Sequence, residues 1–344
     1  MIEYPRRAAS ARAPRLGLHR VAAVLLVLTG CLLASCEGKD RGLRIAVIPK
    51  GTTHVFWKSI EAGARKAGKD LGVEISWKGP LKEDEREGQR KVIESFITSS
   101  VDGIVLAPLD ESAMVAPVDQ AMSAGKPVVI IDSGLKGENY VSYVATDNQK
   151  GGVLAAERLA KILNDKGRVL LLRYQIGSAS TDLREKGFIE TIRKHAGIEL
   201  VPPALDQYAG ATAGNAQQVS EALLSRFSEL DGIFCPNESS TTGMLQALTN
   251  AGRVGKVKFV GFDANDKLVE AMKDGQIQGL VLQNPVRMGE LGVRILVDHL
   301  RGKKVDRVVD TGVYLATPEN MGEPAMQALL HPDLGGGGVA GGSK

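Results

Sequence analysis

From about residue 43 onward the chain keeps one rhythm, in which short continuous apolar runs alternate with longer stretches whose apolar residues recur every third or fourth position. The runs at 43–49, 73–77, 103–106 and 127–131 read as strands, and the stretches at 56–71, 83–99 and 112–124 between them read as amphipathic helices. Val, Ile and Leu fill the runs without polar alternation, the pattern of parallel strands buried on both faces. The rhythm then restarts. Strands at 168–172, 199–205, 232–236, 256–261 and 279–282 alternate with helical stretches at 148–163, 182–195, 212–227, 238–251 and 265–274. Gly72, Gly125 and Gly252 follow helical stretches where a left-handed residue ends a helix. Two such series predict an α/β protein of two doubly wound parallel-sheet lobes. Crossovers near Thr146-Asp147, Asn284-Pro285 and Asp310-Thr311 would make a three-segment hinge. They divide the chain into an N-terminal lobe (43–147 plus 284–310), a C-terminal lobe (148–283 plus 311–330) and a flexible Gly-rich tail (331–344).

The first 36 residues follow a different pattern. Arg6, Arg7, Arg12, Arg15 and Arg20 precede an apolar run at 21–28, and Leu33-Ala34-Ser35-Cys36 closes the segment before polar Glu37-Gly38-Lys39-Asp40. A basic region, a short apolar core and a small-residue cleavage site predict a secretion signal, since the apolar stretch is too short to cross a bilayer. A Cys just past the cut resembles a lipobox, which predicts a lipid on Cys36 and a mature protein tethered at the cell envelope. Leu28-Thr29-Gly30-Cys31 also fits; Cys36 is preferred because cleavage there leaves a fuller apolar run and a polar linker. The bland alternative is that both cysteines are incidental. Arg6-Arg7 lacks the pattern that would follow in a twin-arginine signal.

Composition narrows the function classes. With 43% hydrophobic and 24% charged residues the chain is an ordinary globular protein, and a mature chain from residue 37 is long enough for two lobes of about 150 residues. A net charge of +3, part of it in the leader, argues against a nucleic-acid partner. Two of the three cysteines belong to the signal region, so Cys235 is alone in the mature domain, and its place in an apolar strand predicts a buried, inert thiol. His54, His195, His299 and His331 have no second ligand at metal spacing, no GxxxxGK[ST] or GxSxG occurs, and Gly151-Gly152 lacks the GxGxxG spacing of a dinucleotide site, so catalysis stands well below binding.

In open parallel sheets a ligand lies outside the carboxyl ends of the strands. There the sequence places Lys50 and Gly51-Thr52-Thr53-His54-Val55-Phe56-Trp57, then Asp132-Ser133, Gly177-Ser178-Ala179-Ser180-Thr181-Asp182, Asn237-Glu238, Asp263 and Gln283-Asn284. Carboxylates accept hydroxyl protons, amides donate and accept, and an aromatic face covers the C–H side of a sugar ring. That set suits a neutral polyol held between two lobes. Bland readings compete at several positions: Asp147-Asn148 as a helix start, Trp57 as a core staple, Trp77 as a sheet residue, Glu238 at a helix start, Arg184 in an ion pair, and Lys50 as the neutraliser of Asp132.

Phe56-Trp57, Asp132, Ala145-Thr146-Asp147-Asn148 with Gly151-Gly152, Arg184-Glu185-Lys186-Gly187-Phe188, Asn237-Glu238, Gly261-Phe262-Asp263 and Gln283 occur in an order that carries a resemblance. Residues 43 to about 320 resemble the type I periplasmic binding proteins of bacterial sugar ABC transporters, the group that includes ribose-binding protein and the autoinducer-2 receptors. The resemblance implies that Phe56 and Trp57 flank a sugar ring, that Asp132, Asn237, Asp263 and Gln283 bind hydroxyls, and that Tyr208 stands where ribose binders stack a Phe. Ser133 and Asp182 stand where ribose binders have Arg, and His54 replaces an Asn, which argues against ribose itself. Lys50 is similar to a ligand-contacting Lys of the autoinducer-2 receptors.

The expected function is therefore ligand capture by hinge closure, with delivery to a membrane permease, by a monomer without metal or organic cofactor. A receptor that presents its ligand to a membrane sensor is the alternative, and a secreted sugar-acting enzyme the weaker one. A lactose-repressor-like regulator shares the lobes, but a secretion signal stands where its DNA-binding helices belong.

Overall fold

The structure, a computed structural model, describes residues 1–3, 42–201 and 208–334. The predicted signal from residue 4 on, with Cys31 and Cys36, and the Gly-rich segment 335–344 lie outside the described residues. Two six-stranded sheets organise the rest. The first runs β11-β5-β4-β3-β1-β2, made of β1 (Arg44–Ile48), β2 (Glu74–Trp77), β3 (Gly103–Leu106), β4 (Val128–Ile131), β5 (Ser142–Ala145) and β11 (Val308–Asp310), all parallel. The second runs β12-β10-β9-β8-β6-β7, made of β6 (Gly167–Leu171), β7 (Ile198–Leu200), β8 (Gly232–Phe234), β9 (Lys258–Phe262), β10 (Gly279–Leu282) and β12 (Tyr314–Ala316). In this sheet only β12 is antiparallel to its neighbour. The orders match strand for strand, so β1, β3 and β4 of one sheet correspond to β6, β8 and β9 of the other.

Helices cover both faces, as continuous apolar strands require. On the first sheet, Ile45 and Val47 pack with α1 (Val55–Leu71) and α9 (Pro285–Leu300), while their neighbours Ala46 and Ile48 pack with α2 (Arg86–Ile97) and α3 (Val115–Ser123). On the second, Val169 and Leu171 face α4 (Asn148–Ile162) and α5 (Ala179–Ile192). Leu170 and Leu172 face α6 (Ala213–Arg226), α7 (Glu238–Asn250) and α8 (Asp266–Lys273). Each such side chain stabilises the fold by about 1.5–3 kcal/mol. Phe188 and Phe234 stack at 4.6 Å in the second core, so Phe188→Ala would cost about 3–5 kcal/mol.

Local chemistry sets the element ends. Gly72, Gly125 and Gly252 take φ of 66°, 72° and 62°, the left-handed helix ends expected of them. Asp147, not Asn148, caps α4, and Asn284 caps α9, with Pro285 at its start. Cys235 is buried, and desolvation pushes its thiol well above the usual range. The chain passes between the sheets after β5, after β10 and after β11; Thr311 N donates to Ala145 O at 3.0 Å, pairing two of these passages. Strand β7 is shorter than the expected 199–205, and residues 202–205 of that stretch lie outside the described residues. The apolar pattern gave no element for β5, β11, β12, α9 or α10 (Pro324–Leu330).

Candidate functional site

The carboxyl ends of the two sheets face each other across a narrow cavity lined by residues of both lobes. Its N-terminal wall carries Lys50, His54, Phe56, Trp57 and Asp132, and its C-terminal wall Asn237, Asp263 and Gln283. Eight residues singled out in the sequence are thus brought together. Ser133, Asp182 and Tyr208 do not line the cavity.

The N-terminal wall is built from the loop between β1 and α1. Gln89, fully buried on α2, ties this loop down: its Nε2 donates to Pro49 O and Ala107 O at 2.9 and 2.8 Å. Lys50 follows, with Nζ 3.2 Å from Asp132 Oδ2, 3.3 Å from Ser178 Oγ and 3.2 Å from Ser180 Oγ. An ammonium has three protons, and these three oxygens take them. The neutralising role of Lys50 is therefore present in the geometry.

Glu83 was not anticipated. It lies in the run Lys82-Glu83-Asp84-Glu85, which reads as a solvated helix start, yet its side chain is buried. Its carboxylate accepts from His54 Nδ1 at 2.6 Å, Trp57 Nε1 at 2.8 Å and Tyr174 Oη at 2.8 Å. Burial alone would lower the His54 pKa, but the Glu83 hydrogen bond and charge, with Glu238 and Asp263 behind them, raise it to about 9. Burial pushes Glu83 up; the bond and charge of His54, then Lys50 and Trp57, outweigh it and hold the carboxyl at about 2. A buried ion pair results. Trp57 Nε1 is thereby committed, while Phe56 meets the Trp57 ring edge-on at 4.9 Å.

On the C-terminal wall, Asn237 caps α7 through Ser240 N, and its Nδ2 donates to Ser239 Oγ at 3.1 Å. Asp263 accepts from Gln283 Nε2 at 2.8 Å and from Glu238 N at 3.2 Å. Burial raises its pKa to about 6, against the pull of Arg184 and Gln283. Among the described residues Arg184 makes no ion pair; Nε donates to Asn148 Oδ1 at 2.8 Å, Nη1 to Pro236 O at 3.0 Å, and the guanidinium lies 3.8 Å over the Phe262 ring. Its Nη2 and the Oε1 of Gln283 are buried without a partner, and both residues line the cavity.

The two cavity aspartates share a backbone feature. Asp132 follows β4 with φ 63° and Asp263 follows the corresponding β9 with φ 65°. A left-handed backbone at a non-glycine residue costs on the order of 1 kcal/mol and is found where function demands an orientation. Both lobes accept it at the same place.

Three of the expected residues lie outside the cavity lining. Ser133 is buried and its hydroxyl accepts from Ser180 N at 3.1 Å, leaving the cavity to its neighbour. Asp182 and Tyr208 are drawn to Arg173, whose guanidinium lies 4.0 Å from Asp182 Oδ1 and 4.6 Å from the Tyr208 ring centroid. Glu185 holds that guanidinium at 2.7 Å. Besides Glu83, the lining residues not assigned from sequence are Tyr174, Ser178, Ser180, Thr181, Arg184 and Glu238. The serines and Thr181 were legible, as part of the polar run after β6.

Among the described residues, no group of three or more His, Cys, Asp or Glu could hold a metal ion, and no helix is long and apolar enough to cross a membrane. The model of a periplasmic binding protein domain matches residues 45–304. The chain is 30% identical to the D-allose-binding periplasmic protein of Escherichia coli over 76% of this chain and 85% of that one. A solute-binding protein of a carbohydrate transporter from Agrobacterium radiobacter, solved with D-arabinose, superposes with a TM-score of 0.81 at 34% identity, covering 85% of this chain and 99% of the other. An ABC transporter solute-binding protein from Agrobacterium vitis, bound to α-D-tagatopyranose, gives 0.80 at 31% identity, covering 84% and 99%. Matched over most of its length by the family model and by these relatives, the chain belongs to the periplasmic binding protein family and is a binding protein, not an enzyme.

Proposed function

We propose that the protein captures a neutral monosaccharide between its two lobes in the periplasm and delivers it to the membrane permease of an ABC importer, held at the membrane by a lipid on Cys36. The observation that carries the ligand class is the pair of buried, unpartnered atoms on the C-terminal wall, Arg184 Nη2 and Gln283 Oε1. One is a donor without an acceptor and the other an acceptor without a donor, and a hydroxyl supplies both. A carboxylate would satisfy the arginine but repel the amide oxygen, and an ammonium would do the reverse. The cavity is lined from both lobes, and the allose, arabinose and tagatose of the relatives are neutral monosaccharides.

Closure is the signal. A ligand touching both walls binds the closed arrangement better than the open one, and that difference shifts the population. Phe56 and Trp57 supply the aromatic side and Asp132, Asn237, Asp263 and Gln283 the polar side.

Thermal unfolding against a panel of pentoses, hexoses, deoxysugars, sugar alcohols, sugar acids and autoinducer-2 tests the reading. A sugar present at about a hundred times its Kd adds about 2.7 kcal/mol and raises Tm. A neutral sugar that raises Tm, and loses its effect in Asp263→Ala, is the expected result. A shift produced by sugar acids alone would overturn it. Metabolic labelling with a fatty-acid analogue, lost in Cys36→Ala and kept in Cys31→Ala, tests the anchor.

A further inference from the structure

Helices α1 and α5 occupy matching places, each following the first strand in chain order of its sheet, β1 or β6. Neither caps itself. His54 and Ser178 at their N-caps make no side-chain capping bond, as is also true of α2, α3 and α10, whereas α4, α6, α7, α8 and α9 are each capped by their own Asp, Thr or Asn. The missing partners come from the other lobe. Glu238, on α7 of the C-terminal lobe, accepts from Val55 N at 3.4 Å and Phe56 N at 3.1 Å. Ser133, after β4 of the N-terminal lobe, accepts from Ser180 N at 3.1 Å.

We propose that Glu238 and Ser133 are closure residues: each lobe supplies the N-terminal cap that the helix after the other lobe's first strand lacks, so that the caps form only when the lobes meet. Opening returns these amides to water and separates a carboxylate from the positive end of α1, so the closed state gains charge-assisted bonds that the open state lacks. Glu238 stays oriented throughout, because Asn265 Nδ2 donates to its Oε1 at 3.1 Å within its own lobe. Glu238 therefore acts as a prepared cap rather than as a ligand group, its carboxylate accepting from protein amides. The approach is close enough to need a bare backbone at the rim: the carbonyl of Gly177, at φ 89°, accepts from Glu111 N at 2.9 Å, and a Cβ there would collide with the Asp110 carboxylate.

The inference rests on the lobes closing over a ligand, and its test is made first without one. Donor and acceptor dyes at Lys91→Cys on α2 and Lys194→Cys beyond α5, both exposed, report the interlobe distance in single molecules. In ligand-free protein, Glu238→Gln should lower the closed-to-open ratio by about tenfold and Ser133→Ala by about threefold, with unchanged far-ultraviolet circular dichroism. Where a sugar from the panel binds, each variant should weaken every binding sugar by one common factor, since the cost falls on closure rather than on a contact. Unchanged distance distributions in both variants, or a wild type with no closed fraction, would overturn the proposal. Sugar-selective loss of affinity would overturn it as well and make Glu238 a contact residue. Failure of every sugar to bind would count against the proposed ligand and leave the ligand-free distances to decide this point.

Discussion

The two walls of the cavity hold similar residues in opposite states. On the N-terminal wall Lys50 is matched by Asp132 and two serines, and His54 and Trp57 by Glu83. On the C-terminal wall Arg184 and Gln283 each keep an unpartnered atom, and Asp263 is held at a raised pKa of about 6. A satisfied buried network rigidifies, while an unsatisfied one waits for a partner. Under the proposed function the first wall is a satisfied floor, completed by Ser178 and Ser180 of the other lobe, and the second the reader of hydroxyl groups, so substitutions on the two should damage different properties.

The largest effect is expected on stability from the first wall. Lys50→Met leaves Asp132 buried without its counter-charge and should cost about 3–5 kcal/mol in denaturant unfolding; a loss under 1 kcal/mol would show that the pair is no floor. From the second wall, Asp263→Asn should raise Kd by about 10- to 100-fold in calorimetry with the selected sugar, while Tm holds or rises. Equal damage to both quantities in both variants would erase the distinction.

A smaller effect comes from pH. The folded pKa of His54 is raised, so its contribution is complete below about 6.5 and is lost as pH rises through about 9; that of Glu83 is depressed, so its contribution is complete above about 4.5 and is lost as pH falls through about 2. Asp263 works the other way, because its folded pKa of about 6 lies above the unfolded value and its ionisation between about 3.8 and 6 removes stability. Tm should fall from pH 6.5 to 9, and His54→Gln should flatten that limb; a limb unchanged in the variant would assign it elsewhere. The smallest effect belongs to Asp182→Ala and Tyr208→Ala, which should change Kd by less than about twofold, since both side chains sit with Arg173 away from the cavity.

Those last two residues also mark the limit of what a sequence discloses. Strands β1, β3, β4 and β10 are continuous apolar runs, so their ends, and the Lys50, Asp132 and Gln283 that follow closely, are legible. A strand end gives the height of a residue above the sheet but not its direction. Asp182 and Ser180 stand two apart in one run, and only Ser180 lines the cavity. Glu83 carried no signal, because a carboxylate in a run of charges reads as solvated until Trp57, His54 and Tyr174 are folded around it. Strands β11 and β12 are three residues each, too short to show a period. Helix α9 did carry a signal, in Asn284-Pro285 at its start and apolar Met288, Val293, Leu296 and Val297 on one face.

The left-handed backbone at Asp263 has a consequence for anyone evolving the protein in the laboratory. Heat selection would reward glycine or asparagine there, since either tolerates that conformation and removes a carboxylate whose ionisation opposes folding. Selection on sugar uptake would keep the aspartate. Libraries sorted for robustness alone should drift at position 263 toward sturdy proteins that no longer feed the cell, while position 132, tied to Lys50, stays fixed under either regime.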